Sequence, residues 1–309
     1  MKDDALRSGV LIVDKGRGVT SFDVVALARR RLGVRRIGHA GTLDPDATGV
    51  LPILIGEATK LTPYLVDHDK EYLATIRLGV TTDTYDVSGR VLAEKPVPEL
   101  SVADLEEVCG AFVGRIKQVP PMYSAIHHEG RRLYELAREG VDVEREAAEV
   151  TVDTFEVRGL AGDRVEVAVT CSPGTYVRAL ARDVGEALGV GGHLVALRRT
   201  RSGDFGLDGA VDGAAPAPGW ERSLLPMGAL LPGLPAVEVG PEGAAALRHG
   251  RDLTARLLAS AFPPEPRERF RVLDEAGLLL ALAVPKGFGP AAPGLEVEPV
   301  LHPEIVLAD

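Results

Sequence analysis

The stretch Gly38-His39-Ala40-Gly41-Thr42-Leu43-Asp44-Pro45-Asp46-Ala47-Thr48-Gly49-Val50-Leu51-Pro52 decides how the rest of the chain is read. It has no clear hydrophobic period and carries turn-forming residues throughout, so a loop is expected over residues 38–52. An isolated Asp-Pro is ordinarily a turn opener, with Asp46 and Thr48 as local caps. Three glycines, a histidine and two aspartates within residues 38–49 argue for more, because a glycine-rich loop lets the backbone approach a ligand closely. Working outward, residues 10–13 form an apolar run that predicts a strand. Thr20 and Ser21 offer N-cap oxygens to a helix over residues 22–32.

Farther along, the pattern predicts a helix over residues 57–65 and a strand over 71–80. The Ser101/Asp104 capping box starts a helix running to about Val113. Further helices are expected over 131–139 and 175–188, with strands over 150–157, 165–171 and 193–201. Strands and helices in irregular order favour an α+β fold over a doubly wound one. From Asp212 the composition shifts to Ala, Pro and Gly, and a boundary near Pro235 divides the chain into residues 1–234 and 235–309. The second part holds a short helix pattern over 241–249 and several short apolar strands.

The 309 residues suit about two domains. A 45% apolar and 26% charged composition is that of an ordinary globular protein, not a disordered one. Cys109 and Cys171 are too few for a disulfide framework and fit a reducing cytoplasm. The longest strongly apolar run, residues 278–284, is far short of a membrane span, and the N-terminus has no signal-peptide core. There is no Cys/His ligand spacing and no phosphate-binding Gly-Lys-Ser motif. Asp44-Pro45-Asp46-Ala47-Thr48 has the D-x-D-x-T form of aspartyl-phosphate phosphatases. Their nucleophile ends a buried strand, however, and Gly-His-Ala-Gly-Thr-Leu is no such strand.

Several blocks together carry a specific resemblance. The motif at residues 38–52 is preceded by Leu11-Ile12-Val13-Asp14-Lys15 and Gly18-Val19-Thr20-Ser21. It is followed by Tyr72, Leu78-Gly79, Thr82-Asp83-Thr84-Tyr85-Asp86, Pro120-Pro121-Met122-Tyr123-Ser124-Ala125 and Cys171-Ser172-Pro173-Gly174-Thr175-Tyr176-Val177-Arg178. Leu197-Arg198-Arg199-Thr200 closes the series. In this order, across about residues 10–205, the chain resembles the TruB family, the bacterial tRNA pseudouridine-55 synthases. The resemblance implies a catalytic domain with a mainly antiparallel central sheet, and, more loosely, a small β-rich PUA-like RNA-binding module from residue 235.

What the resemblance implies chemically is isomerisation of the T-loop uridine of tRNA. The C–N glycosidic bond breaks, the base turns, and C5 rejoins the sugar, without cofactor or metal. By resemblance Asp44 is the catalytic carboxylate, as nucleophile or as base, and Arg178 is the guanidinium that keeps it ionised. Tyr72 matches the tyrosine that stacks on the target base and handles its C5 proton. The uridine must be extruded from the folded tRNA, and His39 fills the vacated space. Lys15 and Leu197 line the pocket, and Tyr176 lies in the Arg178 motif. Three departures stand out: Gly16 where proline is common, Asp46 where an apolar residue is usual, and His127-His128-Glu129 in place of a lysine-bearing stretch.

The net charge of -10 argues at first against a nucleic acid, but the charge is uneven. Arg29, Arg30, Arg31, Arg35 and Arg36 lie beside the motif with no acid among them. Arg198, Arg199 and Arg201 form a second cluster, and Arg131 and Arg132 a third. Arg30, Arg31, Arg198 and Arg199 are therefore expected at tRNA phosphates. The part from residue 235 holds seven basic and eleven acidic residues and is a weak electrostatic anchor. The expected partner is the tRNA T-arm, bound by a cytoplasmic monomer without membrane, guide RNA or obligatory protein partner. The competing expectation is an RNA-binding or RNA-folding protein of the same fold without catalysis.

Overall fold

Gly9–Lys15 forms a strand buried on both faces because its apolar residues serve two cores at once. Leu11 and Val13 point to one side, Val10 and Ile12 to the other, following the two-residue period of a strand. The computed structural model describes residues 8–124, 126–214, 217–260, 267–286 and 300–307. Within them the Gly9–Lys15 strand belongs to an eleven-stranded sheet. Its main path runs Val211–Asp212, Gly9–Lys15, Thr48–Ile55, Gly192–Ser202, Lys70–Leu78, Arg164–Cys171, Ala148–Ala161, Gly114–Gln118. Most neighbours are antiparallel; Gly9–Lys15 with Val211–Asp212, and Thr48–Ile55 with Gly192–Ser202, are parallel. The fold is α+β, as the irregular element order predicts.

The three longest helices pack on one face. Ser21–Leu32 begins at a Thr20–Asp23 capping box and ends at Gly33 in the left-handed conformation, and buries Val24, Val25, Ala28 and Leu32. Val177–Ala187 and Val102–Gly110 bury a second cluster with Ile76, Val167 and Val169. Tyr72 and Leu197 reach both clusters, so the seam between them marks the middle of this face. The opposite face, through Val10, Ile12 and Leu54, packs on Leu279, Leu282 and Leu307. Those three belong to the C-terminal β-rich region, whose four-stranded sheet runs Ala236–Val239, Phe270–Asp274, Leu279–Lys286, Val300–Val306. Trp220, fully buried in the preceding segment, stacks under Arg31 at 4.6 Å.

Four local expectations need correction. Residues 38–52 are not one loop: Ile37–His39 and Thr48–Ile55 are strands, leaving residues 40–47 between them. Thr48–Ile55 is buried along seven of its eight residues, and a strand covered on both faces shows no alternation to read. The helix expected over 57–65 is a 3₁₀ segment, Gly56–Leu61, followed by Thr62–Val66, where Pro63 restarts the turn. The strand expected over 71–80 stops at Leu78, because Gly79 adopts a φ of 81°. Arg131 and Arg132 precede the helix Leu133–Arg138 and pair with His127–His128 in a two-stranded ribbon. Among the described residues, no helix is long and apolar enough to cross a membrane.

Candidate active site

The loop at residues 40–47 is fixed mainly from beneath. The Ala47 amide donates to the Asp44 carbonyl at 3.1 Å. Ser21 Oγ accepts from the Leu43 amide at 2.9 Å and donates to the Leu43 carbonyl at 3.2 Å. Lys15 is fully buried, and its Nζ donates to the carbonyls of Gly16, Val19 and Pro45 at 3.0, 2.8 and 3.1 Å. Burial pulls its ammonium down to about 8, against the charges of Asp44 and Asp46. Arg199 is 1% exposed; it donates from Nε to the Val50 carbonyl (2.7 Å), and from Nη2 to that of Gly41 (3.0 Å). At Gly49, φ is 102°, and a Cβ there would lie 2.1 Å from the Arg199 carbonyl oxygen, so only glycine passes.

Above this base sits a charged centre. Arg178, buried in the first turn of Val177–Ala187, contacts Asp44 twice: Nε to Oδ2 at 3.0 Å and Nη2 to Oδ1 at 3.2 Å. Such a fork-to-fork pair sets both distance and plane. The same guanidinium reaches Asp86 Oδ2 at 3.3 Å and donates to the Tyr123 carbonyl at 3.0 Å. Its side chain is 6% exposed while that of Asp44 is 40% exposed. The cation is locked and the carboxylate is open. Although part of its side chain reaches solvent, the protein packed around the Asp44 carboxyl desolvates it and pushes it above the usual range; Arg178 opposes this, and Asp86 adds to it. Asp86 is itself held by Thr84 Oγ1 at 2.7 Å and the Ser88 amide at 2.9 Å.

Tyr72 and Leu197 form the wall at the seam. Tyr72 is paired in register with Arg199, whose charge acts on its phenol. Burial pushes the Tyr72 phenol up, Arg199 opposes this, and the Asp44 charge adds to it, which puts the two groups in one electrostatic environment. Tyr176 caps the Arg178 helix, with its amide donating to Gln118 Oε1 at 2.8 Å; burial pushes its phenol up as well. His39 ends the strand before the loop, its ring edge-on to Phe22 at 5.4 Å and 80°. Burial, then the Arg199 charge, pulls the imidazole down, favouring the neutral ring.

The basic residues correct the sequence reading most. Adjacent residues on a strand face opposite ways, so Arg198 and Arg199 cannot act as one phosphate-binding cluster. Arg199 is spent under the loop that bears Asp44. Arg198 turns to the other face and forks onto Asp14 at 3.0 and 2.7 Å, beside a recess of about 340 Å³ that Leu73 and Arg17 also line. Arg31 is likewise committed, donating to the Gly213 and Ala214 carbonyls at 3.0 and 3.3 Å. Arg201 pairs with Glu71 at 2.7 Å and Arg131 with Glu139 at 2.5 Å. Arg30 is exposed, and its charge acts on Asp23, two turns back on the same helix. Asp46 pairs with Arg17 at 3.0 Å across the outer rim of the loop. Sequence reasoning missed Ser21 and Asp86 as parts of the site. Both stand in the quoted blocks, but nothing in the string says which oxygen meets Leu43 or Arg178.

Comparison with known proteins gives a consistent set of matches. Residues 29–177 match the N-terminal domain of the TruB family pseudouridylate synthases, and residues 178–213 match the tRNA pseudouridylate synthase B C-terminal domain. A tRNA pseudouridine synthase B of Aromatoleum aromaticum is 48% identical over 251 residues, 80% of this chain and 81% of the relative. Its counterpart in Chromobacterium violaceum is 43% identical over 272 residues, 87% of each chain. Among solved structures, a chain of an H/ACA RNP bound to a substrate RNA containing 2'-deoxyuridine superposes with a TM-score of 0.73 at 25% identity, covering 100% of this chain and 88% of that one. A chain of a Cbf5-Nop10-Gar1 complex gives 0.72 at 27% identity, covering 98% and 86%.

Proposed function

The chain belongs to the TruB family of pseudouridine synthases, and on that premise we propose that it isomerises the T-loop uridine of tRNA, position 55, with Asp44 as the acting carboxylate. It is a tRNA pseudouridine synthase, an isomerase. The observation that carries the finer reading is the forked Arg178–Asp44 pair, which combines a buried, fixed cation with an open carboxylate. The guanidinium favours the ionised form that burial alone would disfavour. Both routes open to a carboxylate, attack on the sugar and removal of a sugar proton, need that form. In the net reaction the C1′–N1 bond breaks and a C1′–C5 bond forms. C5 gives up its proton and N1 takes one, so no redox partner enters.

In this reading Tyr72 stacks on the extruded base and Leu197 closes the opposite wall. Lys15 and Arg199 hold the loop that presents Asp44, and Tyr176 sets the Arg178 helix. His39 occupies the space the base leaves, as a neutral ring suited to stacking on other bases. Arg30 takes a backbone phosphate. The region from residue 235 acts as a PUA-like RNA-binding module, and the enzyme works on the T-arm as a cytoplasmic monomer, without guide RNA or cofactor. The test is tritium release from tRNA labelled at uridine C5. Wild type is expected to release tritium, and Asp44→Asn to release none while still binding tRNA. Binding without release by the wild type would leave an RNA-binding protein without catalysis.

A further inference from the structure

Phe22 is 63% exposed, although an aromatic of its size ordinarily finds cover. Its position is nevertheless rigid. Ser21 before it is hydrogen-bonded to Leu43 on the catalytic loop, and Thr20 and Asp23 around it form the helix capping box. The ring stands edge-on to His39 at 5.4 Å, and His39 Nδ1 is buried without a partner among the described residues. Ala26 and Arg30 follow one and two turns along the helix, about 12 Å of axial rise separating the backbone of Phe22 from that of Arg30. An exposed aromatic ring against a histidine, with an exposed cation farther along the same helix, matches the two features of an unpaired RNA strand: base π-faces and phosphates.

We propose that Phe22 and His39 form a two-ring stacking platform for an unpaired base of the RNA substrate, outside the pocket that holds the reacting uridine. The proposal rests on the reading of this chain as an RNA-modifying enzyme and adds a contact to it. Phe22 is a positioning residue here: it touches RNA, not the reacting atoms, and its edge fixes the plane of His39.

The test uses the full chain with an unmodified T-arm stem-loop, and a fully paired RNA of the same length as the comparison. Phe22→Ala and Phe22→Leu are each expected to weaken stem-loop binding about 5- to 150-fold, the range for one base–aromatic stack, and to leave paired-RNA binding unchanged. Phe22→Trp should restore affinity. Because Trp220 is fully buried, the new indole is also a surface reporter whose fluorescence the stem-loop should quench. Unfolding midpoints should match wild type for all three variants. Leucine binding as tightly as phenylalanine, with no quenching in Phe22→Trp, overturns the proposal. Failure of the wild type to release tritium, with the Phe22 effects intact, overturns the catalytic assignment instead.

Discussion

Replacing Arg199 by lysine distinguishes a buried scaffold from a phosphate contact. The substitution keeps the positive charge, so a residue whose task is to meet phosphate would lose little. A scaffold loses its fork. Arg199 makes two short bonds that diverge from one plane, 2.7 Å to Val50 and 3.0 Å to Gly41, and a longer third, 3.5 Å, to the Thr42 carbonyl. A lysine has one nitrogen and cannot span those acceptors. Losing one charge-assisted bond and leaving its carbonyl buried costs about 1.5–3 kcal/mol. That is a large share of the roughly 5–15 kcal/mol that holds a typical protein folded. Urea unfolding followed by circular dichroism should show a lower midpoint at unchanged slope. Single-turnover tritium release should fall as well, because the loop bearing Asp44 loses its floor. An unchanged midpoint, with tRNA affinity, its salt slope and tritium release all near those of the wild type, would refute the scaffold and restore the phosphate contact.

Other consequences are open to the same assays. The proposed role of Asp44 needs its ionised form, and desolvation raises its carboxyl, so tritium release should fall with acidification at a pH above the ordinary carboxylate range. For this group stability moves the other way: a raised folded-state pKa means protonation favours the fold, so its cost is relieved as pH falls through that pKa. Asp86→Asn removes a charge that raises Asp44, so the acid limb of the pH–rate profile should move to lower pH while the rate drops, Arg178 having lost an anchor; a limb shifted upward contradicts this. Gly49→Ala should cost about 2–5 kcal/mol in thermal or urea unfolding, from a left-handed backbone and a Cβ pressed on the Arg199 carbonyl. Arg30→Glu should lower the slope of log affinity against log salt by about one. Arg31→Glu should instead lower stability, by breaking its bonds to Gly213 and Ala214 and its stack on Trp220.

The departures from the family pattern also meet in space. Gly16 loosens the turn after Lys15, and Asp46 adds charge near Asp44. Between them the Arg17–Asp46 pair bridges the two loops at 3.0 Å, while the Gly18 amide donates to Pro45 at 2.9 Å. Both members of the ion pair are well exposed, so the contribution is small, about 0–1 kcal/mol. The backbone bond and Lys15 carry more of the restraint.

What the sequence alone determined was whatever local chemistry encodes. The Thr20–Asp23 and Ser101–Asp104 caps, the alternating strand at residues 165–171 and the loop chemistry around Asp44 are written in short-range patterns, and the ordered blocks identified the family. Thr48–Ile55 escaped because a strand buried on both faces has no period to detect. The arginines escaped for a related reason. Run together in the string, Arg198 and Arg199 look alike, as do Arg30 and Arg31. The strand's alternation sends Arg198 to Asp14 and Arg199 under the loop that bears Asp44, and helical rotation turns Arg31 toward Trp220 while Arg30 faces water. Only the tertiary structure decides such outcomes, because the partners lie some 130 to 190 residues away along the chain, Arg178 from Asp44 and Arg198 from Asp14 among them. The sequence tells which side chains can carry charge; packing determines which charges are consumed by the fold and which remain for the substrate.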